Sequence, residues 1–301
     1  MDILISGATG LVGTALTSYL RNKGHQVHVL KRNDSGAALT WQPSNNQIVL
    51  DPEQHLDAVI NLNGVNIGDK PWSKQRKLDI IQSRVDSTRL LTETVAALPN
   101  PPSVFINASA IGFYGNSTAD ESNGSLAVDE SSPAGNDFLA EVVTTWEGAA
   151  DPLLKTQIRT VFIRSGVIIS KEGGALAKML LPFKLGLGGR VGSGKQYMSW
   201  IALEDELRAI EFILNNTQIH GAINLTSPNS VTNKEFTATL AKCLKRPAIF
   251  PMPEFMVKLL FGEMGELLLL GGANVKPIAL LDNGFKFKYP ELDKAFNAVL
   301  N

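Results

Sequence analysis

The sequence predicts an α/β fold: a doubly wound, mostly parallel sheet with helices on both faces and a smaller C-terminal lobe. Two observations carry the prediction. Short, continuously apolar runs of strand length alternate with longer amphipathic runs of helical period, the pattern of a parallel sheet covered on both sides. The alternation also starts at once, because MDILISGATGLVG joins an apolar run to a glycine-rich turn and then to a helix.

In chain order, ILISG (3–7) reads as the first strand, TALTSYLRNKG as the first helix, VHVLKR (27–32) as the second strand and DAVINLNG (57–64) as the third. The helical run KLDIIQSRVDSTRLLTETVAAL (77–98) leads to the strand SVFINASA (103–110). FLAEVVTTWEGAA is a helix preceding RTVFIRSGVII (159–169), and GAINLTS (221–227) is a further strand. Glycine-rich LGLGGRVGSGK (185–195) and the residues after 228 break the alternation, so they are expected to build the lobe. The expected division is residues 1–169 for the nucleotide-binding core, with strand 221–227 returning to it, and 170–301 for the lobe and C-terminal extension, without a sharp boundary. FMVKLLFGEMGELLLLGG (255–272) is interrupted by Lys258, Glu263, Glu266 and glycines, falls short of a membrane span and reads as a core helix.

Composition narrows the function classes. A chain of 301 residues, 44% hydrophobic and 19% charged, can bury a sizeable core. Its formal net charge of -1 provides no general attraction to nucleic acid or anionic lipid, so neither is an expected partner. Cys243 is the only cysteine, which excludes an intramolecular disulfide and a cysteine-based zinc site. The histidines at 25, 28, 55 and 220 lack ligand spacing, so no metal is expected. No basic segment followed by an apolar one opens the chain, and the expected location is the cytoplasm.

GATGLVG sets Gly7, Gly10 and Gly13 between the first strand and the first helix. In that context Gly7 permits the tight turn, Gly10 lets a phosphate approach backbone N–H groups, and Gly13 allows close helix–strand packing. Thr9, Leu11 and Val12 belong to the same cradle. This is the start of a Rossmann-type dinucleotide fold. The second strand ends VLKRN, where an NAD-preferring site offers an acidic side chain to the ribose 2'-hydroxyl. Lys31 and Arg32 instead suit a 2'-phosphate, so NADP(H) is favoured over NAD(H).

The GxxGxxG spacing together with SAIGFYG (109–115) resembles the extended short-chain dehydrogenase/reductases, the fold of nucleotide-sugar epimerases. More closely, the chain resembles their atypical YfcH-like branch, also called SulA-like or epimerase family proteins. NLNGVNI (61–67), RKLDIIQSR (76–84), DFLAEVVTTWE (137–147), GSGKQYMSWI (192–201) and the ending GGANVKPIALLDNGFKFKYPEL (271–292) carry that likeness over nearly the whole chain.

The resemblance implies that Leu62, Asn63 and Gly64 lie beside the adenosine half of the cofactor. It implies an active-site serine at Ser109, with Tyr114 following one residue further on than in many relatives. Arg84 stands where extended members commonly have asparagine; it could reach a cofactor or substrate phosphate, or be an exposed helical residue. Arg164, Arg190 and Tyr197 are the candidates for substrate binding, with pairing to a structural carboxylate as the alternative for Arg164. The family's proton-handling tyrosine and lysine are replaced by Phe138 and Val142, whose spacing also fits a buried helix face. Tyr114 is the expected acid–base group, with Ser109 orienting the substrate oxygen. Glu141, Asp120, Glu121, Asp129 and Glu130 read mainly as solvated charges or caps. Two functions stay open: an NADP(H)-dependent oxidoreductase or epimerase-like enzyme with a small polar substrate, anionic or not, and a non-catalytic NADP(H)-binding regulator of the cell-division-inhibitor kind that acts on a protein partner.

Overall fold

The computed structural model describes residues 1–32, 39–116 and 127–300; Asp120 and Glu121 lie outside the described residues. Strand β1 (Asp2–Ser6) carries Ile3, Leu4 and Ile5, all fully enclosed because both faces of the strand are covered. Helix α1 (Leu11–Asn22) lays Leu16 and Leu20 on the sheet and returns the chain to β2 (Gln26–Arg32), parallel to β1. Then come β3 (Thr40–Gln42), β4 (Gln47–Val49), β5 (Ala58–Asn61), α2 (Lys74–Ala96), β6 (Val104–Ala110), β7 (Ala127–Val128), α3 (Phe138–Gly148) and β8 (Arg159–Ser165). The chain continues through β9 (Val167–Ile169), α4 (Gly174–Lys184), β10 (Tyr197–Met198), β11 (Trp200–Ala202), α5 (Leu203–Asn215) and β12 (Gly221–Leu225). It ends with β13 (Val231–Thr232), α6 (Asn233–Leu244), α7 (Glu254–Gly265), β14 (Asn274–Val275), α8 (Ile278–Asp282) and α9 (Leu292–Leu300).

The main sheet has eight strands in the order β12-β8-β6-β5-β1-β2-β3-β4. Every pairing is parallel except β3 with β4 at one edge. The chain moves outward from β1 to β2 on one side and then resumes at β5 on the other. That reversal opens a crevice at the carboxyl ends of β1 and β5, where a sheet of this kind binds ligands.

A buried polar ladder ties the same ends together. Asn61 Nδ2 donates to Asn107 Oδ1 at 2.7 Å and to Thr88 Oγ1 at 2.9 Å, and Ser6 Oγ donates to Asn61 Oδ1 at 2.8 Å. Trp146 Nε1 adds α3 to the set through Thr88 Oγ1 at 3.0 Å. Satisfied polar groups in a dry interior set register more strictly than apolar contacts do.

The C-terminal extension is sewn into both halves. Ser199 Oγ donates to the Ala273 carbonyl at 2.7 Å and accepts the Val275 N–H at 2.9 Å. The enclosed Asp205 carboxylate accepts the N–H groups of Lys288 and Tyr289, each at 2.8 Å. Leu280 and Phe285 pack into the sheet core beside Ile210 and Ile213.

The core helix expected over 255–272 is not what forms. Helix α7 buries only Val257 and Gly265, while Phe255 and Leu259 are 69% and 80% exposed. Gly262, at φ +55°, breaks its regularity, and its apolar side chains lie next to Lys258 and Glu263 instead of on one face that could dock. Among the described residues no helix is long and apolar enough to cross a membrane.

Candidate functional site

The three glycines of the first turn play different parts. A Cβ on Gly7 would stand 2.6 Å from the Leu62 carbonyl oxygen, and the residue sits at φ +74°. A Cβ on Gly13 would fall 2.2 Å from the Gly7 carbonyl oxygen, so that glycine brings helix and strand together. At Gly10 the nearest such atom is the Gly7 oxygen, 3.5 Å away, so protein packing does not demand the missing side chain.

Gly10 caps α1 without any side-chain hydrogen bond, which leaves the helix head to its own N–H groups. These face a cavity of about 390 Å³ bounded by Gly7, Gly10 to Gly13 and Leu62 on one side and by Gly166 to Ile168, Gly174 and Ala175 on the other. Thr9 is exposed beside it. Lys31 and Arg32 lie exposed at the carboxyl end of β2, in register with Thr40 and Trp41. A glycine loop at a helix head is an arrangement that can hold a diphosphate, and the basic strand end lies on β2, the neighbour of β1 in the sheet.

On the far side of β1, Leu62 donates its N–H to Ser6 at 3.1 Å, and buried Asn63 donates through Nδ2 to Asn61 Oδ1 at 2.9 Å. Gly64 is needed where it is: at φ +159°, its Cβ would lie 3.0 Å from the Arg84 guanidinium carbon. Arg84 reaches from α2 to the carbonyls of Ile80 at 3.0 Å and Val65 at 3.2 Å, and its guanidinium stands 5.0 Å over the Trp146 ring. Burial, with Arg76 adding positive charge nearby, lowers its pKa to about 10. No carboxylate pairs with Arg84 among the described residues. A half-buried cation held only by carbonyls and a ring is a good receptor for an anion.

Phe138 and Val142 face inward from α3, 7% and 2% exposed, in an apolar cluster with Ile80 of α2. Trp72 meets the Phe138 ring edge-on at 4.9 Å, and Lys77 Nζ lies 4.2 Å from its centre. Asp137 starts the helix by accepting the Ala140 N–H at 3.0 Å, and it also holds the Asn116 N–H at 3.0 Å. The face of α3 that carries Phe138 and Val142 is therefore packing surface.

Polar chemistry lies one to two turns further along α3. Ser109 Oγ, at the end of β6, donates to Glu147 Oε1 at 2.6 Å. Arg164 of β8 grips Glu147 in a fork, Nε to Oε1 at 2.9 Å and Nη2 to Oε2 at 2.8 Å. Its Nη1 donates to the Tyr114 hydroxyl at 3.1 Å, and that hydroxyl donates to Asn224 Oδ1 at 2.8 Å. Asn224 then holds the extension through the Lys276 carbonyl at 3.0 Å. Burial raises the Tyr114 pKa, opposed by Arg164, so the phenol stays neutral. Burial also disfavours charge on Arg164, yet Glu147 and Tyr114 outweigh it and raise its pKa.

The structure thus brings Ser109, Tyr114 and Arg164 into one chain of contacts, with Arg164 engaged by Glu147 as the pairing alternative foresaw. Tyr114 is 4% exposed, with both its lone pair and its proton engaged. Arg190 and Tyr197 stand outside this chain of hydrogen bonds. Arg190 is an exposed residue whose carbonyl accepts the Met252 N–H at 2.9 Å, and Tyr197 pairs with Thr232 in β10. Among the described residues no hydrogen bond links either to Ser109, Tyr114 or Arg164. Glu147, Asn107 and Asn224 were not singled out from the sequence. The signal available was a polar residue inside an apolar strand, as in VFINAS and AINL. Among the described residues no cluster of His, Cys, Asp and Glu suits a metal ion.

Comparison with known proteins agrees with this architecture. The profile of the NAD dependent epimerase/dehydratase family matches residues 3–225, and a domain of unknown function, DUF1731, matches 252–299. The human epimerase family protein SDR39U1 is 36% identical over 303 residues, covering 100% of both chains. The epimerase family protein ML0860 of Mycobacterium leprae is 38% identical, over 98% of this chain and 94% of its own. The crystal structure of the human protein (isoform2) with NADPH superposes with a TM-score of 0.89 at 33% identity, covering 99% of each chain. A nucleoside-diphosphate sugar epimerase from Corynebacterium glutamicum superposes at 0.78 with 31% identity, over all of this chain and 58% of its own. With a nucleotide-binding sheet over residues 3–225 and a matching C-terminal extension, the chain belongs to the NAD-dependent epimerase/dehydratase family.

Proposed function

We propose that the chain is an NADP(H)-dependent oxidoreductase of the epimerase type, acting on a small polar substrate at the carboxyl ends of β1, β5 and β6. The observation that carries this reading is the glycine loop. Gly7 and Gly13 are required by the fold, whereas Gly10 leaves space that only a ligand uses, directly at the head of α1. The preference for NADP(H) rests on Lys31 and Arg32, and it is supported by the NADPH held by the human relative.

The bound nicotinamide supplies or accepts hydride. Proton handling belongs to Ser109, whose hydroxyl is backed at 2.6 Å by Glu147, which the Arg164 fork holds in place. Tyr114 is the far anchor of the chain and holds Arg164 in place, in contrast to the direct acid–base role expected from the sequence. Arg84 is the receptor for a cofactor or substrate anion near Gly64.

The burial of Phe138 and Val142 favours a second reading, a non-catalytic NADP(H)-binding regulator. A panel of carbonyl compounds and sugar nucleotides, followed by the absorbance of the reduced nicotinamide, separates the two. Under the first reading some substrate turns over and Ser109→Ala lowers turnover by about a hundredfold to ten-thousandfold, with NADPH affinity little changed. Turnover of no substrate in the presence of tight NADPH binding favours the regulator.

A further inference from the structure

Residues 254–270 form a flap that is fixed at both ends and lightly held between them. At one end Met252 donates its N–H to the Arg190 carbonyl at 2.9 Å, and its own carbonyl accepts the Gly192 N–H at 2.8 Å. At the other end Gly271 and Gly272 thread a gap that admits no side chain. A Cβ on Gly271 would collide with Asn116 Oδ1, and one on Gly272 with the Tyr197 carbonyl oxygen. Ala273 and Val275 follow, buried with Tyr114.

Between these ends only Val257 and Gly265 are buried. Gly262, at φ +55°, stands in open space, and Glu266–Leu270 forms a single π-helical turn, a rare local form. The flap touches the sheet domain through the Lys77–Glu263 ion pair at 2.7 Å, exposed on both partners, and through half-buried Leu267 against the Phe138 cluster. It touches the lobe through Gln196 Nε2, which donates to the Leu269 carbonyl at 2.8 Å. An exposed ion pair contributes little, and a segment with so few buried contacts opens locally long before the fold does.

The flap lies on the ligand side of the sheet. Leu268 lies against Gly68 of the loop leaving β5, Gly271 meets Asn116 of the loop leaving β6, and Leu267 meets the start of α3. Ligands of such sheets bind outside the carboxyl ends of the strands. The neighbouring approach over β8 and β12 is closed, because Asn224 holds the Lys276 carbonyl at 3.0 Å and Thr226 Oγ1 the Val275 carbonyl at 3.3 Å. None of the flap residues lines the glycine-loop cavity, so the cofactor and the flap do not compete for it. We propose that residues 254–270 are a gate: they lift between Met252 and Gly271 to admit substrate to the carboxyl ends of β5 and β6, then close to exclude water from the nicotinamide. The identity of what enters rests on the oxidoreductase reading; the motion of the flap does not.

Hydrogen–deuterium exchange of the full chain, read by mass spectrometry, tests the motion. Amides of 263–270 should exchange faster than those of β6, about two- to fivefold faster again in Glu263→Gln and at least about tenfold in Leu267→Ala, with β6 unchanged as the control for folding. Acrylamide quenching of the fluorescence of bound NADPH tests the covering: the quenching constant should rise severalfold in Leu267→Ala. Exchange over 263–270 as slow as in β6, or quickened by neither variant, shows a fixed wall and overturns the gate. So does quenching that Leu267→Ala leaves unchanged while its flap exchanges faster. A wild type whose Tm does not respond to NADPH contradicts the cofactor reading instead, and the exchange rates then decide the gate by themselves.

Discussion

Replacement of Gly10 by valine separates what the glycine loop does for the fold from what it does for a ligand. Gly10 sits at φ -77° and ψ 172°, an extended conformation open to valine, and a Cβ there would be 3.5 Å from its nearest protein neighbour. It caps α1 without a side chain, so the substitution should cost the apoprotein under about 1 kcal/mol. The new methyl groups, however, enter the cavity of about 390 Å³ at the point where the N–H groups of α1 converge. For the wild type, NADPH at a hundred times its dissociation constant should add about 2.7 kcal/mol. At roughly 2–4 °C per kcal/mol this is a rise of about 5–10 °C in Tm. Gly10→Val should melt within a few degrees of the ligand-free wild type and show no rise with NADPH. Gly13→Val is the contrasting control: its Cβ would overlap the Gly7 carbonyl at 2.2 Å, so it should lose the fold itself. Differential scanning fluorimetry with and without NADPH reads all three proteins. A Gly10→Val protein stabilised as strongly as the wild type would refute the placement of the phosphates at this loop.

Arg32→Asp should weaken NADPH binding by about 1–3 kcal/mol, since it replaces a charge-assisted contact to the 2'-phosphate by a repulsion, and should not weaken NADH binding, since it places an acid where an NAD site has one for the ribose 2'-hydroxyl; equal wild-type affinities for the two cofactors in a fluorescence titration would sink the preference. Val142→Lys, at a site 2% exposed in the Ile80 and Phe138 cluster, should destabilise by about 3–5 kcal/mol, as an unpaired buried charge does, and adding Phe138→Tyr should not restore stability. Urea denaturation measures this, and an unchanged midpoint would mean that α3 does not bury that face. Burial raises the Glu206 carboxyl from 4.5 to about 8, only partly offset by the Ser165 hydroxyl. Below pH 4.5 the folded and unfolded chains are both protonated there. As pH rises from that value the unfolded chain ionises first, so stability falls until the folded carboxyl titrates near 8, by at most roughly 5 kcal/mol. Glu206→Gln should therefore match the wild type at about pH 5 and exceed it in Tm at about pH 9, and an equal difference at both would show that the carboxyl is not the cause.

Much of the fold could be read along the chain because it depends on neighbours in sequence. Ile3 to Ile5 announce a strand covered on both faces, and Gly7, Gly10 and Gly13 announce the turn into α1, since backbone conformation and helix start are set within a few residues. The apolar pair Phe138 and Val142, four apart on a helix, already indicated packing where proton handling was expected. The extension is legible as a motif but not as a structure, because its carbonyls and N–H groups find partners in Ser199, Asp205 and Asn224 far away in the chain.

The sequence by itself determined the alternating architecture and the glycine turn, local properties of composition and spacing, while the family resemblance marked Phe138 and Val142 as standing where relatives have a tyrosine and a lysine. Only the tertiary structure decided that Arg164 turns to Glu147, that Tyr114 lies sealed between Arg164 and Asn224, and that Arg84 has carbonyls for partners in place of a carboxylate. It also decided that α7 lies on the surface. The physical reason is common to all four. The free energy of a charge, a phenol or an apolar face depends on what surrounds it in space, and parallel strand register brings together residues such as Ser109 and Arg164 whose separation in sequence carries no trace of their contact.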